Sequence, residues 1–273
     1  MLKNKHIEQC LLQDGFAIVG KLNEDELAHL TTSIDAYLPE TAITDFYYSL
    51  LTHTPAENIN IMQSQNEILQ DFFYHNFNNI RTVTSSFLVK PPMQSELFLH
   101  QDWCYTNEVK HNAYNVWIPL QDVDIHNGAL FFLPGSHNWF QNFRSGAYDT
   151  ARISSANPDI AKKVVTVSLK KGEVILFHPA LFHGSHPNRT KQYRVIAATT
   201  VMDKDAPFLY YHAKNTGFTN VYSLPDSYFV TNLAPLTIGQ QPEATIIETL
   251  PYHHTLITVD LVVQKLNLTL QDQ

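Results

Sequence analysis

The chain has 273 residues, of which 44% are hydrophobic, 12% aromatic and 16% charged, enough to bury one large core or two small ones and too apolar for wholesale disorder. With 18 Lys plus Arg against 26 Asp plus Glu, a net charge of −8 and no basic cluster, a nucleic-acid footprint is excluded. Cys10 and Cys104, neither in a CxxC pair, make no disulfide framework and no cysteine zinc site.

Gln13 and Asp14 interrupt the first apolar run before it reaches signal-peptide length, and no stretch of 18 apolar residues follows, so a cytoplasmic protein away from the membrane is expected. Residues 4–13 read as a short helix with Ile7, Leu11 and Leu12 on one face, broken by Asp14-Gly15. Phe16 to Val19 is a β-type run. Asn23 and Glu26 have capping-box spacing, and Leu22 and Leu27 that of a hydrophobic staple, which predicts a helix over 24–38. A second long helix is predicted over 63–79. After residue 80 the texture changes to short runs rich in Val, Thr, Phe, Tyr and Ile. Strands are predicted near 81–90, 96–103, 113–120, 129–133, 163–169, 173–178, 192–201 and 256–263. Pro91-Pro92, Asn127-Gly128, Pro134-Gly135, Lys171-Gly172 and Pro187-Asn188 mark the turns. Short strands without intervening helices predict a sandwich or jelly roll. One domain, 1–273, is expected: a helical N-terminal layer (1–80), a β core (81–203) and an irregular C-terminal elaboration (204–273).

His100 and Asp102 lie two apart in a strand-like segment, so they face the same way. That supplies two of the three ligands of a 2-His-1-carboxylate facial triad on Fe(II). By itself His-x-Asp is a weak signal, since a solvated surface pair has the same pattern. A third ligand has to come from a distant strand, and His178, His183 and His186 all compete for that role. Arg194, one of five arginines, sits in an otherwise apolar strand. Buried there it needs an anion, either a structural Asp or Glu or the carboxylate of a small dicarboxylic acid.

The blocks HQDWCY…NVWIPLQDVDIHNGALFFLPGSH and KKGEVILFHPALFHGSHPNRTKQYR together resemble the phytanoyl-CoA dioxygenase family of Fe(II)- and 2-oxoglutarate-dependent oxygenases. DGFAIVGKLNEDELAHL has the look of that family's opening strand and helix. The resemblance implies a mainly β fold with N-terminal helices, a double-stranded β-helix of the jelly-roll, cupin-like kind. It implies Fe(II) on His100, Asp102 and His183, with His178 and His186 as neighbours only. It implies that 2-oxoglutarate is held by Arg194 and Ser185, with Trp117, Lys90 and Ser86 lining its pocket. O2 would then be used to hydroxylate a small organic substrate, with release of succinate and CO2. Two other readings of such a barrel are a non-catalytic small-ligand binder and a differently metallated cupin. Asp102 argues against the second, which favours His-x-His, and also against a halogenase, which needs a small residue there. No CoA-binding basic patch is visible.

Tyr105, which follows the carboxylate, Asn115 on the inward face beside Trp117, and Arg144 are the expected substrate contacts. Arg144, with Asn142 and Tyr148, belongs to the long segment 138–162, which reads as a mobile lid. The expected partner is a small molecule, with no nucleic acid or membrane, and the chain is expected to be a monomer or homodimer.

Overall fold

A computed structural model of the protein describes residues 1–148, 151–215 and 217–269. Helix α1 (Lys5–Asp14) starts where the Asn4 side chain accepts from the amides of His6 and Ile7, and ends at Gly15, whose φ of 84° is left-handed. Strand β1 (Phe16–Lys21) follows, then α2 (Glu24–Asp35) with the expected Asn23–Glu26 capping box in place. A two-residue strand β2 (Tyr47–Tyr48) and one helical turn α3 (Ser49–Thr52) come next.

The long helix expected over 63–79 is instead two helices, α4 (Pro55–Ile68) and α5 (Gln70–Asn76). The start lies earlier because Thr54-Pro55-Ala56-Glu57 is itself a capping box with Pro in the first turn.

The core strands are β3 (Ile80–Lys90), β4 (Leu97–His100), β5 (Ala113–Pro119), β6 (Leu130–Phe132), β7 (Val165–Val167), β8 (Glu173–Phe177), β9 (His183–Ser185) and β10 (Arg194–Asp203). They form a six-stranded sheet in the order β1-β8-β5-β10-β3-β2 and a four-stranded sheet in the order β4-β9-β6-β7. Sequence reading finds seven of these eight strands and misses β9, whose three residues are too short to show alternation. The N-terminal region is more than a helical layer, because β1 and β2 are strands of the larger sheet. One hydrophobic cluster runs from Leu2, Leu11 and Leu30 through Val116 and Leu176 to Val201.

Beyond residue 203 the expectation of irregular chain is overturned. β11 (Leu209–Asn215), β12 (Phe218–Ser223) and β13 (Thr245–Pro251) form a third antiparallel sheet. The strand expected over 256–263 is instead the start of a helix, Val259–Thr269. Its apolar residues Val262 and Leu266 recur at helical spacing and bury against Phe182 and Leu99, so the period is 3.6 rather than 2. Among the described residues no helix is long and apolar enough to cross a membrane.

Candidate active site

Two neighbouring strands of the smaller sheet and the chain just after β4 bring His100, Asp102 and His183 together, with their ligand atoms all within 4.8 Å of one another. The register explains this. β4 and β9 pair antiparallel with His100 opposite His183, and the two rings lie 4.4 Å apart. Gly184 permits the close approach, since a Cβ there would run into the Leu97 carbonyl and the Phe131 ring. β4 ends at His100, three residues sooner than expected. Asp102 is aimed inward because its amide donates to the Pro179 carbonyl at 2.8 Å.

Each histidine Nδ1 donates to a carbonyl two residues earlier, His100 to Phe98 at 2.8 Å and His183 to Leu181 at 2.9 Å. A carbonyl only accepts, so Nδ1 carries the proton and each Nε2 faces Asp102, at 3.6 and 3.4 Å. Burial opposes ionisation of Asp102, but the two facing imidazoles hold its pKa down at about 2. Burial pushes His183 down to about 4. Burial also depresses His100, but the Asp102 carboxylate outweighs it and leaves its pKa raised. A carboxylate and a neutral imidazole at physiological pH suit a divalent cation. His178 and His186 lie elsewhere: His178 Nδ1 accepts the Ala180 amide, and His186 Nε2 meets the Thr166 hydroxyl.

A cavity of about 170 Å³ extends from this triad between the sheets. Its far end holds Arg194 and Ser185, and Lys90 stands behind Ser185; Arg194 and Lys90 are only 2% and 1% exposed. They are directly opposite each other on β10 and β3, an unfavourable pairing of like charges. Neither has a carboxylate partner among the described residues. Arg194 donates to the Gly128 carbonyl at 2.5 Å, while its buried Nε is unpartnered. Lys90 Nζ donates to the Ser185 hydroxyl at 2.9 Å and to the carbonyls of Ser185 and His186. Burial first, and the Arg194 charge second, lower Lys90 to about 7; burial lowers Arg194 to about 9. Gly128, at φ 99°, keeps this end open, since a Cβ there would stand 3.1 Å from the Lys90 side chain and 3.4 Å from Arg194 Nη1. The Arg194 guanidinium lies 5.5 Å from the Trp117 ring centroid, and Ser86 lines the same cavity. The buried Arg194, with the Ser185 hydroxyl beside it and Lys90 behind, fits the far carboxylate of a small dicarboxylic acid, and the His-Asp-His set fits Fe(II).

A family profile described as phytanoyl-CoA dioxygenase (PhyH) matches residues 12–196, more than half of the chain. The chain belongs to the phytanoyl-CoA dioxygenase family. It is 28% identical over 155 residues to the peroxisomal phytanoyl-CoA dioxygenase of Rattus norvegicus, a match covering 52% of this chain and 45% of the relative. It is 33% identical over 119 residues to a probable alpha-ketoglutarate-dependent hypophosphite dioxygenase of Stutzerimonas stutzeri, covering 41% of each. The matched region thus spans less than half the length of these relatives. Among solved structures, the epimerase SnoN in complex with Fe3+, alpha-ketoglutarate and nogalamycin RO is similar, with a TM-score of 0.55 at 19% identity over 75% of this chain and 85% of that one. HygX from Streptomyces hygroscopicus, with nickel, 2-oxoglutarate and hygromycin B bound, has a TM-score of 0.52 at 17% identity over 72% and 86%. At these identities the likeness is one of fold, the double-stranded β-helix of the phytanoyl-CoA dioxygenase family.

The expected substrate contacts fare unevenly. Tyr105 lines the cavity, its phenol raised well above the usual range by burial and then by Tyr48 and Asp102. Asn115 also lines it, but its polar atoms are engaged: Nδ2 donates to Asp102 at 2.6 Å and Oδ1 accepts from Thr200 at 2.8 Å. It orients the carboxylate. Arg144 is a correction. It is buried outside the cavity, bidentate on Glu108 at 2.7 and 2.5 Å, with Nε donating to the Asp102 carbonyl at 2.7 Å. Nothing in the sequence names Glu108 as its partner.

The free lid expected over 138–162 is likewise replaced by a docked segment, although Asp149 and Thr150 lie outside the described residues. Asn142 donates to the Thr255 carbonyl, Ser145 to the Tyr211 carbonyl, and Tyr148 bonds to Thr219. Sequence reading misses Phe46 and Tyr48, which enter the cavity because β2 pairs with β3 at Tyr48↔Leu88. The aromatic run Phe46-Tyr47-Tyr48 is their one signal, and it carries no chemistry by itself.

Proposed function

We propose that the chain is an Fe(II)- and 2-oxoglutarate-dependent oxygenase that hydroxylates an unactivated C–H bond of a small organic molecule, releasing succinate and CO2. The observation that carries this is one cavity with a His-Asp-His cluster at one end and, at the other, Ser185 and the buried Arg194, which has no carboxylate partner among the described residues, with Lys90 behind Ser185.

Nε2 of His100, Nε2 of His183 and the Asp102 carboxylate would hold the iron, and Arg194, Lys90 and Ser185 the far carboxylate of 2-oxoglutarate. Iron so bound, with 2-oxoglutarate and O2, supplies an oxidant strong enough to take hydrogen from carbon. The chain's own residues do the rest. The carbonyls of Phe98 and Leu181 fix the two imidazole tautomers. Asn115, held by Thr200, sets the plane of the Asp102 carboxylate. Trp117, Leu130 and Phe177 wall the cavity and keep water from it. Tyr105 offers a phenolic proton at the wall for a substrate acceptor.

The test is an anaerobic titration with Fe(II) and 2-oxoglutarate, followed by the metal-to-ligand charge-transfer band. The band is expected in the parent protein and in His178→Ala, and absent in His100→Ala, Asp102→Ala and His183→Ala. Arg194→Ala should keep iron binding and raise the 2-oxoglutarate constant about ten- to hundredfold. A band surviving in His183→Ala but lost in His178→Ala overturns the ligand assignment. No band in the parent protein leaves the non-catalytic barrel as the reading.

A further inference from the structure

A second, outer cavity of about 440 Å³ opens on the other side of the triad, and His100 and Asp102 belong to both cavities. Its size is that of a ligand pocket. Its walls are Leu97 and Phe98, 36% and 45% exposed, together with Trp103, and its rim carries Arg152. Leu97 and Phe98 are the kind of exposed apolar residues that mark a binding surface when they line a concavity beside charged groups.

The backbone fixes where Arg152 stands. Leu99 and Ile153 exchange both amide bonds, at 2.8 and 3.0 Å, in an antiparallel bridge. Both side chains bury into one hydrophobic cluster. By alternation, the residues flanking them face the opposite way, and one step along the bridge sets Arg152 directly across from His100. Cross-strand partners of this kind stand about 5 Å apart at Cβ. Glu96 clamps the same segment by accepting the Ser155 amide at 2.8 Å. Arg152 is exposed and makes no hydrogen bond or ion pair among the described residues. Glu96 lines the same cavity but accepts the Ser155 amide and makes no ion pair with the guanidinium, which leaves Arg152 to take an anion from outside.

Resting on the oxygenase reading, we propose that the outer cavity receives the prime substrate and that Arg152 selects an anionic head group, a carboxylate or phosphate, on an apolar body. The body lies along Leu97, Phe98 and Trp103, next to the metal ligands, and the head group is bound at the rim. Arg152 is thereby a specificity-determining residue, taking no part in the chemical step.

The experiment is calorimetric titration of anaerobic protein, loaded with Fe(II) and 2-oxoglutarate, with octanoate, octyl phosphate and neutral octanamide. At least one anion is expected to bind about three- to tenfold more tightly than the amide, the range for a partly exposed charge-assisted contact. Tighter binding of octanoate or of octyl phosphate identifies the head group. Arg152→Gln should erase the preference and Arg152→Lys should restore part of it, while 2-oxoglutarate binding stays unchanged. Equal binding of anions and amide, or a preference that survives in Arg152→Gln, overturns the inference. The charge-transfer band in the loaded protein reads the oxygenase assignment separately: a band without head-group preference overturns the outer-site inference alone, and no band overturns the assignment beneath it.

Discussion

Asp102 is approached from two sides, by Asn115 from the cavity wall and by Arg144 from outside the cavity. Thr200 holds Asn115, which donates to the carboxylate, and Arg144 donates to the Asp102 carbonyl while locked to Glu108. Groups that orient a metal ligand typically account for about 10- to 100-fold in metal affinity. Asn115→Ala should therefore weaken Fe(II) binding by that factor while the 2-oxoglutarate constant, measured at saturating iron, stays within about twofold. Lys90 gives a pH signature. Its pKa of about 7 lies far below the ordinary lysine value of 10.5. Between those two values the unfolded chain holds a proton that the folded chain has released, so this group makes stability rise with pH across that window. Binding a dianion has the opposite sign, because only protonated Lys90 attracts it. The apparent 2-oxoglutarate constant should rise as pH climbs through about 7, and anaerobic titrations of Lys90→Met should be flat over the same range.

The β4–β9 pair is the element on which the site depends, and it is short: the two recorded register pairs are Leu97↔Ser185 and His100↔His183. Gly184 sits between the two paired residues of β9. Gly184→Ala forces the strands apart or displaces the Phe131 ring, and overpacking of this kind costs about 1–3 kcal/mol. Urea unfolding should show that loss, and iron binding should fall further than stability does, because the separation of His100 and His183 changes with the strand spacing. The 138–162 segment looks like a lid in sequence because Asn142, Ser145 and Tyr148 are polar and a glycine lies among them. In the fold those polar groups are spent on β11, β12 and the chain before the last helix.

At the scale of the whole molecule, the N-terminal strands complete the larger sheet and the N-terminal helices share its hydrophobic cluster. We expect one cooperative unfolding transition, with tryptophan fluorescence and far-ultraviolet dichroism coincident, and no folded product when residues 1–80 are removed. What was legible in the sequence follows from range. The Asn23–Glu26 cap, the strands of β3, β5 and β10, and the His-x-Asp pair are local patterns, and the fold keeps them. The distal histidine was not readable from spacing, because only the β4–β9 register separates His183 from His178 and His186. Arg144 was misread since its partner, Glu108, is 36 residues away. The third sheet went unseen because β13 is exposed along most of its length and shows no alternation.

The facing of Lys90 and Arg194 across the β3–β10 ladder reaches beyond binding. Without a bound anion the repulsion is paid out of fold stability, at the end of the ladder where β3 closes and β10 opens. If 2-oxoglutarate is held against them as proposed, it removes that penalty and acts on the folding equilibrium by mass action. Amide hydrogens along β3 and β10 would then exchange faster when the cosubstrate is scarce. Proteolysis follows the population of opened chains, so the lifetime of the protein in a cell would follow the supply of a central metabolite.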